Sequence, residues 1–494
     1  MSDTTRTLSG CPPAGAGIPP STGAPEPTTT PGLTAAAGLA LMVGGFVGNL
    51  IFGASTLLAP SIAADLGIGT DGATLTVALF PLGFAVVLVL GGRLGDRYGR
   101  RLVYRLGLVG LVITSVAVAL APGAVTLLGA RFLQGTAAGI MLPQVLSTIQ
   151  HTAVDHARAR WQAWYGAVIG AGTIVGMLLA GVLMLGGSPA GWRLMFWAIA
   201  LLSGVALVLS VLVPETRSPH RRTSGLDGVG TVLLAVGLGG VLLALAVGRT
   251  RGWPWWIDAG LLASLLVLVV FGWWERRRPA EQALLPPAAL AEPALATGLA
   301  MAVAFFAGYG AFLYVVTATL QARARLSGLA SAGELVLFTL GFIVTAVLLP
   351  RLSGRWPRPR LLRTGAFAQA ALLVAIAALW WSDPLPSPWL LQPLLTLLGA
   401  AQAFMYNPLL GTVMSAVPSR IAGLSSGLFS TGQQLGNSVG VTLFGLVFAG
   451  LGGAGAAASL PACLLVQAAV AVAFAAATGL LPVSSPAPIR RSMR

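Results

Sequence analysis

The chain has 494 residues, of which 56% are hydrophobic and only 9% are charged, against roughly a quarter charged in ordinary soluble domains. Its formal net charge is +15, and all 29 basic residues are Arg. That apolarity excludes a soluble enzyme or a nucleic-acid binder. The two cysteines, Cys11 and Cys463, lie in an N-terminal tail and a late apolar run and allow neither a disulfide framework nor a cysteine metal site.

Residues 1–31 are rich in Pro, Thr, Ser and Gly and read as a disordered tail without the charged start, apolar stretch and cleavage site of a secretory signal. From Leu33 onward run about fourteen apolar stretches of the length a bilayer-crossing helix needs, so the chain reads as an all-α integral membrane protein of about fourteen spans. An even number puts both termini on one face. Assigning the tails and alternate loops to the cytoplasm leaves only Arg193, Arg249, Arg251, Arg323 and Arg325 outside and Arg131 within a span. Because Arg accumulates on the cytoplasmic side, that orientation is strongly specified, as a multi-pass protein of the plasma membrane with cytoplasmic termini.

In chain order, the first polar residue deep in a span is Asn49, in span 1. Between spans 2 and 3 lies Gly92-Arg-Leu-Gly-Asp-Arg-Tyr-Gly-Arg-Arg101, expected to be a short loop at the membrane surface. Asp96 is its lone carboxylate among Arg93, Arg97, Arg100, Arg101 and Arg105, and Gly92, Gly95 and Gly99 allow a tight turn and close approach to a neighbour. Basic residues alone would mark any cytoplasmic loop; the internal Asp and the spaced glycines go beyond that. Later, Arg351-Leu-Ser-Gly-Arg-Trp-Pro-Arg358 repeats Arg93-Leu-Gly-Asp-Arg-Tyr-Gly-Arg100, with Gly354 where Asp96 stood. A degenerate copy is what two related halves should show.

The Gly-x-Leu-x-Asp-Arg-x-Gly-Arg-Arg pattern resembles the signature between spans 2 and 3 of the major facilitator superfamily. Span 4 resembles that superfamily as well, through Arg131 and Gly135 in Leu128-Gly-Ala-Arg-Phe-Leu-Gln-Gly135. An intramembrane Arg is costly, so Arg131, with Gln134 beside it, is a candidate for a polar cavity or a coupling site; snorkelling of Arg131 to the outer surface is the alternative.

Span 5 is rich in glycine, with Gly166, Gly170, Gly172, Gly176 and Gly181 suited to close helix packing. Gly172-Thr-Ile-Val-Gly-Met-Leu-Leu-Ala-Gly181 resembles the corresponding motif of fourteen-span drug:proton antiporters, with Met177 in place of that family's Pro. Gly191-Trp192-Arg193 with Phe196 opens span 6 in the same style, with Trp192 and Trp197 read as interface residues together with Trp253, Trp255, Trp256, Trp380 and Trp381. Span 1 departs from the family: the acidic position, counted back from Ala59-Pro60, falls on Ile51. His151, His156 and His220 are expected in cytoplasmic loops, Asp227 at the start of span 7 as a dipole-complementing residue, and Ser331-x-x-Glu334 as a capping box opening span 10. Pro418-Ser-Arg-Ile-Ala-Gly423-Leu-Ser-Ser426-Gly427, then Gln434, Gly436 and Gly440, resembles the family's penultimate cytoplasmic loop and span 13.

The resemblance implies two six-helix bundles, residues 32–213 and 291–482, flanking an insertion of spans 7 and 8 over residues 214–290, with a C-terminal tail over 483–494. It implies secondary export of a small amphipathic organic compound, a drug or metabolite, by alternating access. The gating loop, Gly92, Asp96, Arg97, Gly99, Arg100 and Arg101, is expected to latch the bundles on the cytoplasmic side, with Asp96 at the N-terminus of span 13 near Gly423 to Ser426. Cavity candidates are Asn49, Arg131, Gln134, Gln144, Gln402, Tyr406, Asn407 and Gln433, polar groups in apolar spans that need partners.

Protons are the coupling ion the resemblance implies; the missing span 1 acid leaves a proton-independent facilitator or importer as an alternative, and a sensor or scaffold of the same fold as another. A membrane-embedded enzyme would need paired carboxylates, a His cluster or an activated nucleophile at one depth, and the sequence offers none. A nucleotide-driven pump would need a phosphate-binding loop with a Lys, which the chain lacks. No cofactor or metal is expected, and the expected partners are a small-molecule substrate and the lipid bilayer, for a monomer.

Overall fold

The computed structural model describes residues 33–153, 155–185, 189–216, 227–279, 283–284, 292–323, 328–353, 356–383, 386–415 and 422–480. Among them every regular element is helical, as hydrocarbon requires of a chain whose backbone polar groups must be satisfied within each segment.

The first six long helices are α1 (Ala35–Leu66), α2 (Gly69–Tyr98), α3 (Arg100–Ala119), α4 (Ala124–Thr152), α5 (Asp155–Leu183) and α6 (Trp192–Leu209). A pair follows, α7 (Gly228–Arg251) and α8 (Trp255–Arg276). Then come α9 (Pro293–Arg323), the short α10 (Gly328–Glu334) leading into α11 (Val336–Ser353), α12 (Arg358–Ser382), α13 (Pro388–Ser415), α14 (Ala422–Gly450) and α15 (Ser459–Ala477). Among the described residues twelve segments are long and apolar enough to cross a membrane. Two more helices, α13 and α14, run 28 and 29 residues but interleave their apolar residues with Gln, Asn, Pro, Ser and Gly.

Local chemistry sets the ends. Thr34 caps α1 by accepting from the Ala37 N–H at 3.2 Å, and Gly67 ends it at φ 62°. Asp227 caps α7 by accepting from the Gly230 N–H at 3.0 Å, the role its position predicts. The capping box at Ser331 does not form. The helix starts at Gly328, so Glu334 closes α10 rather than opening it, and its carboxylate accepts from Gln392 on α13.

Helix pairing repeats. In the first set α1 packs on α5 and α6, α2 on α4, and α3 on α4 and α6; in the second α9 packs on α14 and α15, α11 on α13, and α12 on α13 and α15. The repeat extends to single contacts. A Cβ at Gly83 or Gly135 would overlap the carbonyl oxygen of Phe132 or Phe80, and one at Gly341 or Gly399 that of Thr396 or Phe338. The interval from Phe80 to Phe338, and from Gly83 to Gly341, equals that from Arg93 to Arg351. The two related arginine stretches therefore end equivalent helices. Gly172 and Gly176 likewise bring α5 against α1, and Gly436 and Gly440 bring α14 against α9.

The two sets meet along α2 with α14 and along α5 with α10 and α11, while α7 packs on both α2 and α14. Gly181 meets Leu329 of α10 at 2.7 Å from its Cβ position. Helix α5 is unbroken from Asp155 to Leu183, as expected once Met177 replaces a proline. Two expected interface residues are interior instead: Trp192 and Trp380 are buried. Trp192 donates to Asp65 Oδ2 at 3.0 Å, and Arg193 reaches the same oxygen at 3.1 Å, so this pair clips α1 to α6.

Candidate functional site

Call the end where α1 begins and α2 finishes the near face. The expected loop there is helical: Gly92 to Tyr98 form the last turns of α2, and Gly99 alone separates α2 from α3. Its φ of 103° and ψ of 134° explain the glycine. The charged residues keep this stretch helical by satisfying each other and the next helix end. Asp96 accepts from Arg100 at 2.7 Å across one turn, with both residues buried. Arg105 donates to Ser210 Oγ at 3.0 Å, and Arg101 lies 3.7 Å from Glu215, so these arginines sit at the C-terminal end of α6, where positive charge complements the dipole. Arg97 stacks on the Tyr98 ring at 5.4 Å. Gly95 has no room for a side chain because Gln144 of α4 lies against it. In the second set Arg363, at the same interval after Arg105 that separates Arg351 from Arg93, plays the corresponding part, donating to Thr478 Oγ1 at 3.2 Å just past α15. Arg358 donates to the Gly411 carbonyl and Ser415 Oγ at the end of α13; Arg355 lies outside the described residues.

Across the near face the two sets touch through small polar groups. Ser147 and Ser426 hydroxyls are 2.9 Å apart, Ser426 also donates to the Pro143 carbonyl at 3.1 Å, and Gln150 donates to the Met414 carbonyl at 2.9 Å. Gly427 packs on Leu88 and Val89 of α2 at 2.9 to 3.2 Å from its Cβ position. Antiparallel register then sets Arg93, about 6 Å further along α2, level with the first turn of α14, and Asp96 level with positions outside the described residues. Arg420 lies outside the described residues, as do the surroundings of Gly423.

Deeper in the first set, Arg131 is fully buried, which rules out snorkelling. Its guanidinium donates to the Thr76 carbonyl at 3.1 Å, Gln134 Oε1 at 2.6 Å and Ser55 Oγ at 2.5 Å, and lies over the Phe80 and Phe196 rings at 5.0 and 5.6 Å. Gln134 passes the chain on to Ser115 at 2.8 Å. These hydrogen-bond partners are all neutral, and this cage ties α1, α2, α3 and α4 together. The position equivalent to Arg131, counted through Gly135 and Gly399, is Leu395, so the charge belongs to one half alone.

Between the sets lies an aromatic cluster. The Tyr406 ring is 5.8 to 6.2 Å from those of Phe305, Phe306, Phe342 and Phe429, drawn from α9, α11 and α14. Gly166 of α5 closes the other side, 2.7 Å from Tyr406 at its Cβ position. Four buried polar atoms in this region have no hydrogen-bond partner: the Tyr406 hydroxyl, Gln402 Oε1 one turn earlier, Asn407 Oδ1, and Asn437 Oδ1 on α14. Buried polar groups are normally paired. The Tyr406 hydroxyl and Asn407 Oδ1, both beside Gly166, are groups that a ligand can satisfy.

The remaining sequence candidates divide. Asn407 donates to the Ala346 carbonyl at 3.1 Å and Gln144 to the Gly91 carbonyl at 2.7 Å, so these two also join helices, while Asn49 donates to its own helix at Gly45. Gln433 is half-buried on α14. Ile51 is fully buried among apolar residues. His151 sits in the last turn of α4 rather than in a loop, and His220 lies outside the described residues. Sequence reasoning missed Ser147 with Ser426, and the phenylalanines around Tyr406, because serines and phenylalanines in apolar helices carry no pattern of their own. The i, i+4 spacing of Gln402 and Tyr406 was the available signal.

The family model described as Major Facilitator Superfamily matches residues 40–235 and 223–441. The probable actinorhodin transporter of Streptomyces coelicolor is 34% identical over 435 residues, covering 86% of this chain and 74% of that protein. A puromycin resistance protein of Streptomyces alboniger is 31% identical, covering 79% of this chain and 77% of its own. The tetracenomycin C resistance and export protein of Streptomyces glaucescens is 26% identical over 80% and 73%. Among solved structures, the human organic anion transporter MFSD10 aligns over 90% of this chain and 99% of its own at a TM-score of 0.64 and 17% identity. The proton:xylose symporter XylE aligns over 91% and 96% at 0.64 and 16%. These two support the fold alone.

Proposed function

Because the chain belongs to the Major Facilitator Superfamily, we propose that it is an efflux transporter that carries small amphipathic organic compounds across the plasma membrane by alternating access. Relatives named for antibiotic export and resistance support that direction. The observation that carries the binding step is the orphaned Tyr406 hydroxyl on a ring set among phenylalanines, with the orphaned Asn407 Oδ1 next along the helix. Rings offer stacking area to an aromatic or aliphatic body, and the orphans offer hydrogen bonds that cost nothing to vacate.

In this reading α1 to α6 and α9 to α15 are the two moving bundles, with α7 and α8 inserted, giving fourteen crossings as in fourteen-span antiporters. Both termini are cytoplasmic and the near face is the inner one. Asp96, drawn to the positive end of α14 and held by Arg100, latches the near face together with Ser147, Ser426 and Gln150. Arg131 shapes the first bundle's polar interior and, with Gln134, is the place where a charge is held deep in the membrane. Proton coupling is retained as the driving force, though it has no acid at Ile51 to run through. The experiment is to compare accumulation of dyes and aromatic antibiotics in cells with and without the protein, each with and without a protonophore. Lower accumulation that the protonophore abolishes supports coupled export; lower accumulation that it leaves unchanged removes the coupling, and no difference with any compound removes export.

A further inference from the structure

Helices α7 and α8 touch at mid-depth and part towards the far face, opposite the near one. A Cβ at Gly240 would overlap Ser264 Oγ, and one at Gly237 would lie 2.7 Å from the Leu268 side chain. Closer to the turn that joins the two helices, a Cβ at Gly260 would meet nothing within 4 Å. The gap is a cavity of about 370 Å³, within the range of roughly 300 to 1,000 Å³ that ligand pockets occupy. Leu75, near the start of α2, lines it as well. The cavity therefore lies where the inserted pair meets the first bundle.

Its chemistry changes along its length. Leu243, Ala244 and Val247 of α7 give it an aliphatic wall. At the deep end the Ser264 hydroxyl donates to the Gly260 carbonyl at 2.7 Å, so its proton is spent within its own helix. At the other end stand Arg251 and Trp256, with the guanidinium 5.7 Å from the ring centroid. Trp255 and Trp256 are exposed there, as side chains at the membrane–water boundary are. Asp258, in the first turn of α8, is not among the lining residues. From Gly240 to Arg251 the helix rises about 16 Å, and one leaflet of a hydrocarbon core about 30 Å thick is about 15 Å deep. The cavity is thus apolar over the depth of one leaflet and cationic at headgroup level. An acyl chain ending in a phosphate has that length and the complementary charge, and Arg is the side chain whose planar fork matches phosphate oxygens.

We infer that this cavity is a phospholipid site: one acyl chain lies along α7 between α2 and α8, and its anionic headgroup is held by Arg251 at the far face. The chain fills the joint between the first bundle and the inserted pair, which the protein's own side chains leave open. Lipid around the rest of the surface meets helix ridges, whereas a chain in this cavity has walls from three helices. The site is tested on the purified full-length protein in detergent micelles, with phosphatidylglycerol carrying a photoactivatable diazirine near the chain end and peptide mass spectrometry to locate the adduct. The adduct should fall between residues 240 and 264, and unlabelled phosphatidylglycerol should compete about five-fold better than phosphatidylcholine, the effect of one Arg on an anionic lipid. Arg251→Gln should remove that preference. Gly260→Leu, which fills the cavity, should abolish the adduct, while Gly272→Leu on the same helix, whose Cβ also enters open space but away from the cavity, should leave it unchanged. An adduct that survives Gly260→Leu, or equal competition by the two lipids, would mean ordinary bilayer contact and overturn the site. A preference that survives Arg251→Gln overturns the assignment of the headgroup to that residue. Displacement of the probe by an aromatic antibiotic but not by phosphatidylglycerol would give the cavity to a different occupant and overturn the inference as well.

Discussion

Replacing Tyr406 by Phe takes away one hydroxyl and nothing else. In the structure that hydroxyl is buried, 2% of the residue being exposed, and has no hydrogen-bond partner. The ring stays among Phe305, Phe306, Phe342 and Phe429. An unsatisfied buried hydroxyl costs about 1 to 3 kcal/mol, so the ligand-free variant should be more stable by about 1 kcal/mol or somewhat more. Transport should move the other way. A neutral hydrogen bond to a ligand contributes about 0.5 to 1.5 kcal/mol, which corresponds to a rise of roughly 2- to 12-fold in KM. The opposite signs are diagnostic, because a residue that only packs would lose stability and leave KM alone. The assay is the half-life of the purified full-length protein in detergent at a fixed elevated temperature, a rate measure suited to irreversible unfolding, beside export by the same variant in vesicles. A variant that is less stable and exports with the original KM would refute the reasoning, since it would mean that the hydroxyl is already satisfied inside the protein.

Three other perturbations have definite expectations. Gly172→Ala puts a Cβ 2.8 Å from the Phe46 carbonyl where ordinary contact starts near 3.4 Å, so α1 and α5 must part and stability should fall by about 1 to 3 kcal/mol; Gly436→Ala at the equivalent contact of α14 with α9 should add to it independently, and thermal inactivation of the single and double variants checks both. Asp96→Asn removes the charge that Arg100 holds and should raise labelling of Ser147→Cys by an impermeant maleimide applied at the near face, with unchanged labelling counting against the latch. Arg131→Lys should export as poorly as Arg131→Gln, because an ammonium on a flexible stem cannot hold Thr76, Gln134 and Ser55 in one planar fork; a Lys variant with full export would show that charge alone suffices.

The helices were legible because hydrocarbon leaves little choice: an apolar run of sufficient length becomes a helix, and turn and cap residues such as Gly67, Gly99 and Asp227 mark its ends. The repeat was legible in one stretch of arginines, and the glycine contacts at Gly83 and Gly341 extend it. What failed was anything decided by partners from distant helices. Trp192 looks like an interface residue until Asp65 of another helix reaches it. Ser331 and Glu334 have the spacing of a cap, yet the helix begins earlier and Glu334 is taken by Gln392. Arg131 was recognisable as costly and Gln134 as its helical neighbour, but the rest of its neutral cage was not, since Ser55 and Thr76 reach it only after the bundle forms. The phenylalanines around Tyr406 were invisible for the same reason.

Gly99 leaves a further mark on how this molecule works. With one residue between them, α2 and α3 have no slack, and Arg101 and Arg105 carry the joint straight onto the end of α6. A tilt of α2 cannot be absorbed at the corner; it is handed on, as through a crank, to two further rods. Lengthening that corner by even a single residue would uncouple the rods without removing any contact between them.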